Sequence, residues 1–383
     1  MDKKILYIIN ESYFFLSHKK ELADKVKELG YEVHVAVPKD HVWAPENFSN
    51  NKITERGFVC HEYDLSRRGQ NIFLELKSFF QIFLIILSVR PSILHFMTIK
   101  PIIYGGLISI FFPKSLKVFS ITGLGQVFTE NTWYAKLRRF IIIFFFKLIF
   151  SFKSSNLIVQ NSYDFDLIFK KNLINKNRLH LIKGSGVNVK EFPYIKESKK
   201  TVPEVILASR LLWEKGIKQF VEAARIFKQK KINIRFTLVG DTQESNPRSV
   251  PKRVIEAWVD DGLVDWVGRK ENMSNVIAKS NIVCLPTVYG EGVPKVILEA
   301  AATGRALIVS DNPGCKELVL DRVTGLIVKD KNSKELAECI NELINDDKLR
   351  EYLVLNAKEK IYKEFSSDII VNTTTEIYMT KSF

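Results

Sequence analysis

The sequence predicts an α/β chain of two doubly wound, Rossmann-like domains. Three observations lead there. Short β-branched runs alternate with helix-length stretches along all 383 residues, the signature of parallel sheets built from βαβ units. The pattern breaks once, near residues 186–203, and then restarts with Val205-Ile206-Leu207-Ala208. The length allows about 190 residues per half, enough to bury a core in each. With 46% hydrophobic and 26% charged residues, composition leaves no room for wholesale disorder or a collagen-like repeat.

Taken in order, the first half offers strands at 3–9, 32–37, 57–64, 92–97, 117–122, 156–160 and 179–182, with helices near 15–29, 71–89, 101–111, 132–152 and 162–172. The second half offers strands at 204–209, 234–239, 264–267, 281–286, 306–310 and 325–328, with helices near 215–231, 250–261, 293–303, 332–346 and 348–363. The predicted domains are therefore 1–190 and 203–365. The stretch between them reads as a linker, with Pro193, Pro203 and little apolar periodicity. Residues 366–383 read as a final helix returning to the first domain. In doubly wound folds ligands sit at the carboxyl ends of the strands, and two such domains place the main site in the cleft between them.

Several chemistries are excluded. No G-x-x-x-x-G-K-[ST] is present, and the turn after the first strand is Asn10-Glu11-Ser12-Tyr13 rather than G-x-G-x-x-G. There is no G-x-S-x-G elbow and no H-E-x-x-H. Cys60, Cys284, Cys315 and Cys339 lie too far apart for a C-x-x-C metal or redox motif, and they suit a reducing compartment. The apolar run at Ile5–Ile9 is too short for a secretory leader.

The charge is lopsided. Residues 1–195 hold 27 Lys/Arg against 16 Asp/Glu, and residues 196–383 hold 30 against 27. Residues 66–195 alone hold 18 against 5, interleaved with phenylalanine. Such a surface attracts anionic membranes or nucleic acid. Two apolar runs, 79–89 and 140–152, fall short of the ~20 residues of a membrane span. Both read as buried core helices. For the second, flanked by Arg138, Arg139, Lys147 and Lys153, an interfacial helix around Phe144–Phe146 is the sharper reading.

The chemistry-bearing residues cluster in the second half. After strand 281–286 come Glu291, Gly292, Val293, Pro294 and Lys295, then a helix that carries Glu299 and stops at Gly304. Backbone N–H groups at such a helix start attract anions, and carboxylates accept from sugar hydroxyls. Strand 204–209 is followed by Arg210 and Lys215, a guanidinium fork and a point charge suited to phosphate. Strand 234–239 runs into Gly240-Asp241, and strand 264–267 into Gly268-Arg269.

These motifs resemble those of the family-4 glycosyltransferases of the GT-B fold, whose hallmarks are an R…K pair, a G-D turn and an E-x7-E motif. The resemblance covers essentially the whole chain. Phe14–Lys19, His95–Pro101, Ile121–Gly125, Lys183–Val187 and Pro313–Cys315 look like the subgroup that assembles bacterial O-antigen, capsule and N-glycan precursors on polyprenyl diphosphate. It implies a retaining, metal-independent enzyme working on the inner, cytoplasmic face of the membrane as a peripheral protein. Its donor would be a UDP-sugar, with N-acetylgalactosamine the best guess, and its acceptor a polyprenyl-diphosphate-linked saccharide.

Carried over residue by residue, the resemblance makes Arg210 and Lys215 the partners of the donor diphosphate. Glu299 would bind ribose, Glu291 the donor sugar, and Arg269 would lie beside the uracil. The backbone of Gly292–Lys295 would hold phosphate or sugar oxygens, and Gly123 and Gly240 would allow close approach. No cofactor is expected beyond the donor, and Asp260-Asp261 has the wrong spacing for a D-x-D metal site. The chain departs from the family with Glu11-Ser12-Tyr13 in place of a glycine-rich loop and Thr122 in place of a histidine. His18 and His95 are then the candidate catalytic histidines of the first domain. The rival readings are a UDP-N-acetylglucosamine 2-epimerase-like enzyme and a basic nucleic-acid-binding protein. No nucleic-acid recognition module is present in the sequence.

Overall fold

The computed structural model describes residues 3–39, 49–65, 72–124, 132–198, 201–243, 246–288, 290–329 and 331–380. It divides into two compact units: Met1–Ser185 with Ile369–Phe383, and Gly186–Asp368.

The first unit is built on a seven-stranded, all-parallel sheet. Its strands are β1 (Lys4–Ile8), β2 (Glu32–Pro38), β3 (Val59–Tyr63), β4 (Ile93–Met97), β5 (Leu116–Ile121), β6 (Ser155–Val159) and β7 (Leu179–Leu181), in the order β3-β2-β1-β4-β5-β6-β7. β1 pairs with both β2 and β4, so the strand order reverses beside it. The central strands β1, β4, β5 and β6 are almost wholly buried because helices cover both faces. One face packs Tyr7, Val35 and Met97 against Phe15, Val26 and Tyr378; the other packs Leu6, Phe96 and Phe119 against Ile82, Ile102 and Phe146. The C-terminal helix Ser367–Met379 supplies Ile370, Val371 and Tyr378 to the first of these layers.

The second unit repeats the plan with six parallel strands: β8 (Glu204–Ala208), β9 (Arg235–Val239), β10 (Asp265–Trp266), β11 (Ile282–Leu285), β12 (Ala306–Ser310) and β13 (Leu326–Val328). Their order is β10-β9-β8-β11-β12-β13. Its helices are amphipathic. Ile217–Gln229, for instance, buries Phe220, Val221, Ala224 and Phe227 on one stripe.

All thirteen predicted strands form. The predicted helix near 15–29 is two helices, Ser12–His18 and Lys20–Glu28, meeting at Lys19. Short helices Asn50–Glu55, Met273–Ala278 and Pro313–Lys316 carry too few residues for a periodicity signal. Residues 186–198 pack on the second unit: Val187 and Phe192 join its core, Arg305 donates to the Ile195 carbonyl at 2.8 Å, and Glu197 pairs with Arg350 at 3.0 Å.

Two readings of the apolar runs need correction. The run beginning at Phe79 belongs to a longer helix, Ile72–Val89. Among the described residues it is the one helix long and apolar enough to cross a membrane by length and composition, with mean hydropathy 2.0. Ser78, Ile82, Ile86 and Val89 seat it on the core with helical spacing, whereas Phe73, Leu76, Phe80, Leu84 and Leu87 are exposed. In the helix Trp133–Phe150, Phe146 is fully buried, so the expected Phe144–Phe146 cluster is not one surface. The exposed apolar side chains there are Trp133, Tyr134, Leu137, Phe140, Ile141, Phe144 and Leu148.

Candidate active site on the second unit

Because the second sheet is all parallel, its strands end on one edge, and four adjacent strands there carry the predicted residues. Arg269 follows β10, Gly240 follows β9, Arg210 and Lys215 follow β8, and Glu291 follows β11. The order reverses between β8 and β11, the position at which such sheets bind ligands.

The loops are tied together by their backbones. The Gly240 N–H donates to the Gly268 carbonyl at 2.9 Å, and the Trp266 indole donates to the Gly240 carbonyl at 2.8 Å. Gly240 adopts φ 134°, and a Cβ there would lie 1.9 Å from the Ser209 carbonyl oxygen, so only glycine fits. The Val288 N–H and the Thr287 hydroxyl both donate to the Glu214 carbonyl, at 2.9 and 3.1 Å. The β11 loop is thereby fixed to the β8 loop.

The charged groups then meet. The Lys215 ammonium donates to Glu291 Oε1, and the Thr287 hydroxyl lies 3.3 Å from the same oxygen. Both side chains of this pair are mostly buried, at 13% and 16% exposure, where a charge-assisted contact is stronger than at the surface. Both contacts fall on Oε1, which leaves Oε2 for a ligand. The backbone at Gly292 is locked from behind: a Cβ on Gly314 would sit 1.3 Å from the Gly292 carbonyl oxygen.

The helix Lys295–Thr303 begins after Pro294, with no side chain capping its first turn, and ends at Gly304 in the left-handed conformation. Val293 is buried against the core of this unit. Glu299 is buried one turn inside the helix, with Lys295 Nζ at 3.5 Å. Burial pushes its carboxyl above the usual range, and the Lys295 ammonium partly offsets that. The Arg210 side chain is exposed and makes no ion pair among the described residues. The Arg269 backbone is held by Asp241, whose carboxylate accepts its N–H at 3.1 Å.

In the first unit the predicted residues are dispersed. His18 closes the helix Ser12–His18, stacked on Phe14 with a ring-centroid distance of 4.9 Å and hydrogen-bonded to Ser17 Oγ at 2.5 Å. His95, the other candidate histidine, lies mid-strand in β4 and is fully buried. Its Nδ1 meets the Tyr378 hydroxyl at 2.5 Å and its Nε2 meets Ser120 Oγ at 2.6 Å. Burial holds it well below the ordinary histidine range, and both nitrogens are engaged within the core. Gly123, after β5, has φ 139°. Lys100 pairs with Glu75 at 2.7 Å. Gly125 lies outside the described residues.

Sequence reasoning missed Thr287, which positions Glu291, and Lys19, which is buried between two helices. Thr287 directly follows the predicted strand 281–286 and stands four residues before Glu291, which is the signal that could have found it. Lys19 gave no signal, since a lysine among Lys19, Lys20 and Lys25 reads as solvated.

Two Rossmann-like units, each built on a parallel sheet, with Arg210, the Lys215–Glu291 pair and Arg269 after strands of the second, define a protein of the GT-B class. Comparison with known proteins narrows this. The family described as glycosyl transferases group 1 matches residues 188–360, and the glycosyl transferase 4-like family matches residues 4–161. The chain belongs to these glycosyltransferases.

It is 29% identical over 385 aligned positions, covering 95% of this chain and 97% of the other, to N,N'-diacetylbacillosaminyl-diphospho-undecaprenol alpha-1,3-N-acetylgalactosaminyltransferase of Campylobacter jejuni. Among solved structures it resembles the sucrose-phosphate synthase of Thermosynechococcus elongatus, with TM-score 0.79, 18% identity and 98% of each chain covered. It also resembles Anabaena HepE in complex with UDP-glucose, with TM-score 0.76, 17% identity, and 98% and 99% covered.

Proposed function

We propose that the chain transfers an N-acetylhexosamine, with N-acetylgalactosamine the first candidate, from its UDP derivative to a saccharide carried on polyprenyl diphosphate. The observation that carries this is the Lys215–Glu291–Thr287 cluster on the strand-end edge of a transferase fold. The full-length similarity to a transferase acting on an undecaprenyl-diphosphate-linked sugar supports the acceptor class.

In this reading Arg210 and Lys215 neutralise the donor diphosphate, and Glu291 Oε2 accepts from a donor-sugar hydroxyl. Glu299 accepts from the ribose, beside Arg269 and the uracil, and the backbone of Gly292, Val293, Pro294 and Lys295 faces the phosphate and sugar oxygens. The anomeric C–O bond to the β-phosphate breaks as the acceptor oxygen bonds to the same face of that carbon, so configuration is retained. The acceptor proton passes to the departing phosphate oxygen, and the two cations stabilise the nucleoside diphosphate that leaves. Charge stabilisation by preorganised groups then supplies most of the rate without a metal ion. Among the described residues no group of three His, Cys, Asp or Glu side chains is arranged to hold one.

The first unit takes the acceptor and rests on the membrane face. Its exposed apolar side chains on Ile72–Val89 and Trp133–Phe150, rimmed by Arg138, Lys147 and Lys153, support a peripheral attachment.

The test is UDP release from UDP-N-acetylgalactosamine with a synthetic lipid diphosphate saccharide, comparing wild type with Glu291→Ala and Arg210→Ala. Both variants are expected to fold and to lose roughly 100- to 1000-fold in turnover. Near-normal rates in both would remove the assignment.

A further inference from the structure

The elbow between the helices Ser12–His18 and Lys20–Glu28 holds a buried lysine that pairs with none of the described residues. Lys19 is 6% exposed, and its ammonium makes no hydrogen bond or ion pair with any described residue. A buried cation is ordinarily paired, since desolvation without a partner costs several kcal/mol. Here burial alone acts on the group and lowers its pKa to about 8.

Lys19 lines a small pocket whose other polar members are His18, Glu21, Ser185 and Thr374, with aliphatic walls from the C-terminal helix. The Ser185 hydroxyl is buried there and has no hydrogen-bond partner among the described residues. The Thr374 hydroxyl is satisfied by the Ile370 carbonyl at 2.8 Å. Ser185 follows β7 in the turn Lys183-Gly184-Ser185-Gly186, whose two glycines have φ 73° and 76°. An unpaired ammonium and an orphaned hydroxyl in one pocket are complementary to an oxyanion.

We propose that Lys19 and Ser185 form a binding site for a phosphate-type oxyanion, with the diphosphate of a substrate as its occupant. Lys19 supplies the charge, Ser185 a hydroxyl donor, and the imidazole of His18 a third polar contact at the rim. Glu21 also lines the pocket, so the charge that attracts an anion there comes from the Lys19 ammonium alone. Only the identity of the occupant rests on the transferase reading; the site itself rests on the two unsatisfied groups.

The experiment is equilibrium dialysis of radiolabelled inorganic pyrophosphate with the full chain, run on wild type, Lys19→Met, Lys19→Arg and Ser185→Ala. A separate arm saturates the protein with UDP, and another adds farnesyl diphosphate. The expected result is a pyrophosphate site weakened roughly tenfold in Lys19→Met, as loss of one charged contact implies, and restored in large part by Lys19→Arg. Ser185→Ala weakens it less. Displacement by UDP assigns the site to the donor diphosphate, and displacement by farnesyl diphosphate assigns it to the acceptor.

Pyrophosphate binding unchanged in both Lys19→Met and Ser185→Ala overturns the site. If Lys19→Met fails to fold by circular dichroism, Ser185→Ala alone decides in the same way. Displacement by neither diphosphate overturns the assigned occupant. Because no arm measures sugar transfer, failure here is distinct from failure of the proposed reaction.

Discussion

The two units share a plan and differ in what they expose. The second is nearly neutral, with 30 basic and 27 acidic residues across 196–383, and its helices show single apolar stripes. Its predicted motif residues follow four adjacent strands, and two of them, Lys215 and Glu291, pair there. The first unit carries most of the basic excess and presents helices that are apolar nearly all round, burying only four or five positions each. A helix apolar on every side belongs in a core or against lipid. On the proposed function, the same α/β scaffold would serve two solvents: water and an anionic ligand in one unit, and a membrane face in the other.

The largest effect that tests this contrast is loss of turnover. Glu291→Ala and Arg210→Ala touch only the second unit, so they should abolish transfer while leaving vesicle binding at the wild-type level in a flotation assay. Next comes the triple change Phe73→Ser, Phe80→Ser and Leu84→Ser. It removes exposed apolar area and should weaken binding to anionic vesicles by roughly tenfold or more. Release of UDP with a soluble acceptor analogue should stay normal. If that triple variant floats with vesicles as well as wild type does, the helix Ile72–Val89 is not the membrane contact.

A smaller, structural effect belongs to Gly314. The added methyl of Gly314→Ala meets the Gly292 carbonyl, so the loop bearing Glu291 must shift. The cost is about 1–3 kcal/mol in urea denaturation, accompanied by reduced donor binding.

The smallest effect is a pH dependence. Burial lowers Lys19 and Lys117 to about 8 from an ordinary 10.5. Between those values the unfolded chain binds more protons than the folded one, so these groups make stability rise with pH above about 8. Tyr7 and Tyr63, pushed up by burial, act in the opposite sense near and above pH 10, so the window to measure is pH 8–9. Lys19→Met should flatten part of that rise. An unchanged slope would mean that Lys19 is charged and compensated.

Much of this was legible beforehand. β-branched runs such as Val205–Ala208 and Ile282–Leu285 announce buried parallel strands, and Pro294 with Gly304 brackets a helix. The placement of Arg210, Lys215 and Glu291 after predicted strands, and of Glu299 within the following helix, was legible from the same pattern. His95 misled because a histidine two residues before a strand's end reads the same whether its side chain meets solvent or a core tyrosine. Helix Ile72–Val89 was misread because an apolar run does not state how much of it a core will cover.

The sequence by itself determined the two-unit architecture, the transferase family and the uneven charge, since these depend on local periodicity, composition and short motifs. Tertiary structure alone decided that Lys215 grips Glu291 across 76 residues, that Tyr378 and Ser120 claim His95, and that Lys19 is buried unpaired. Pairing and burial arise from how distant segments pack, and that packing leaves no periodic trace along the chain.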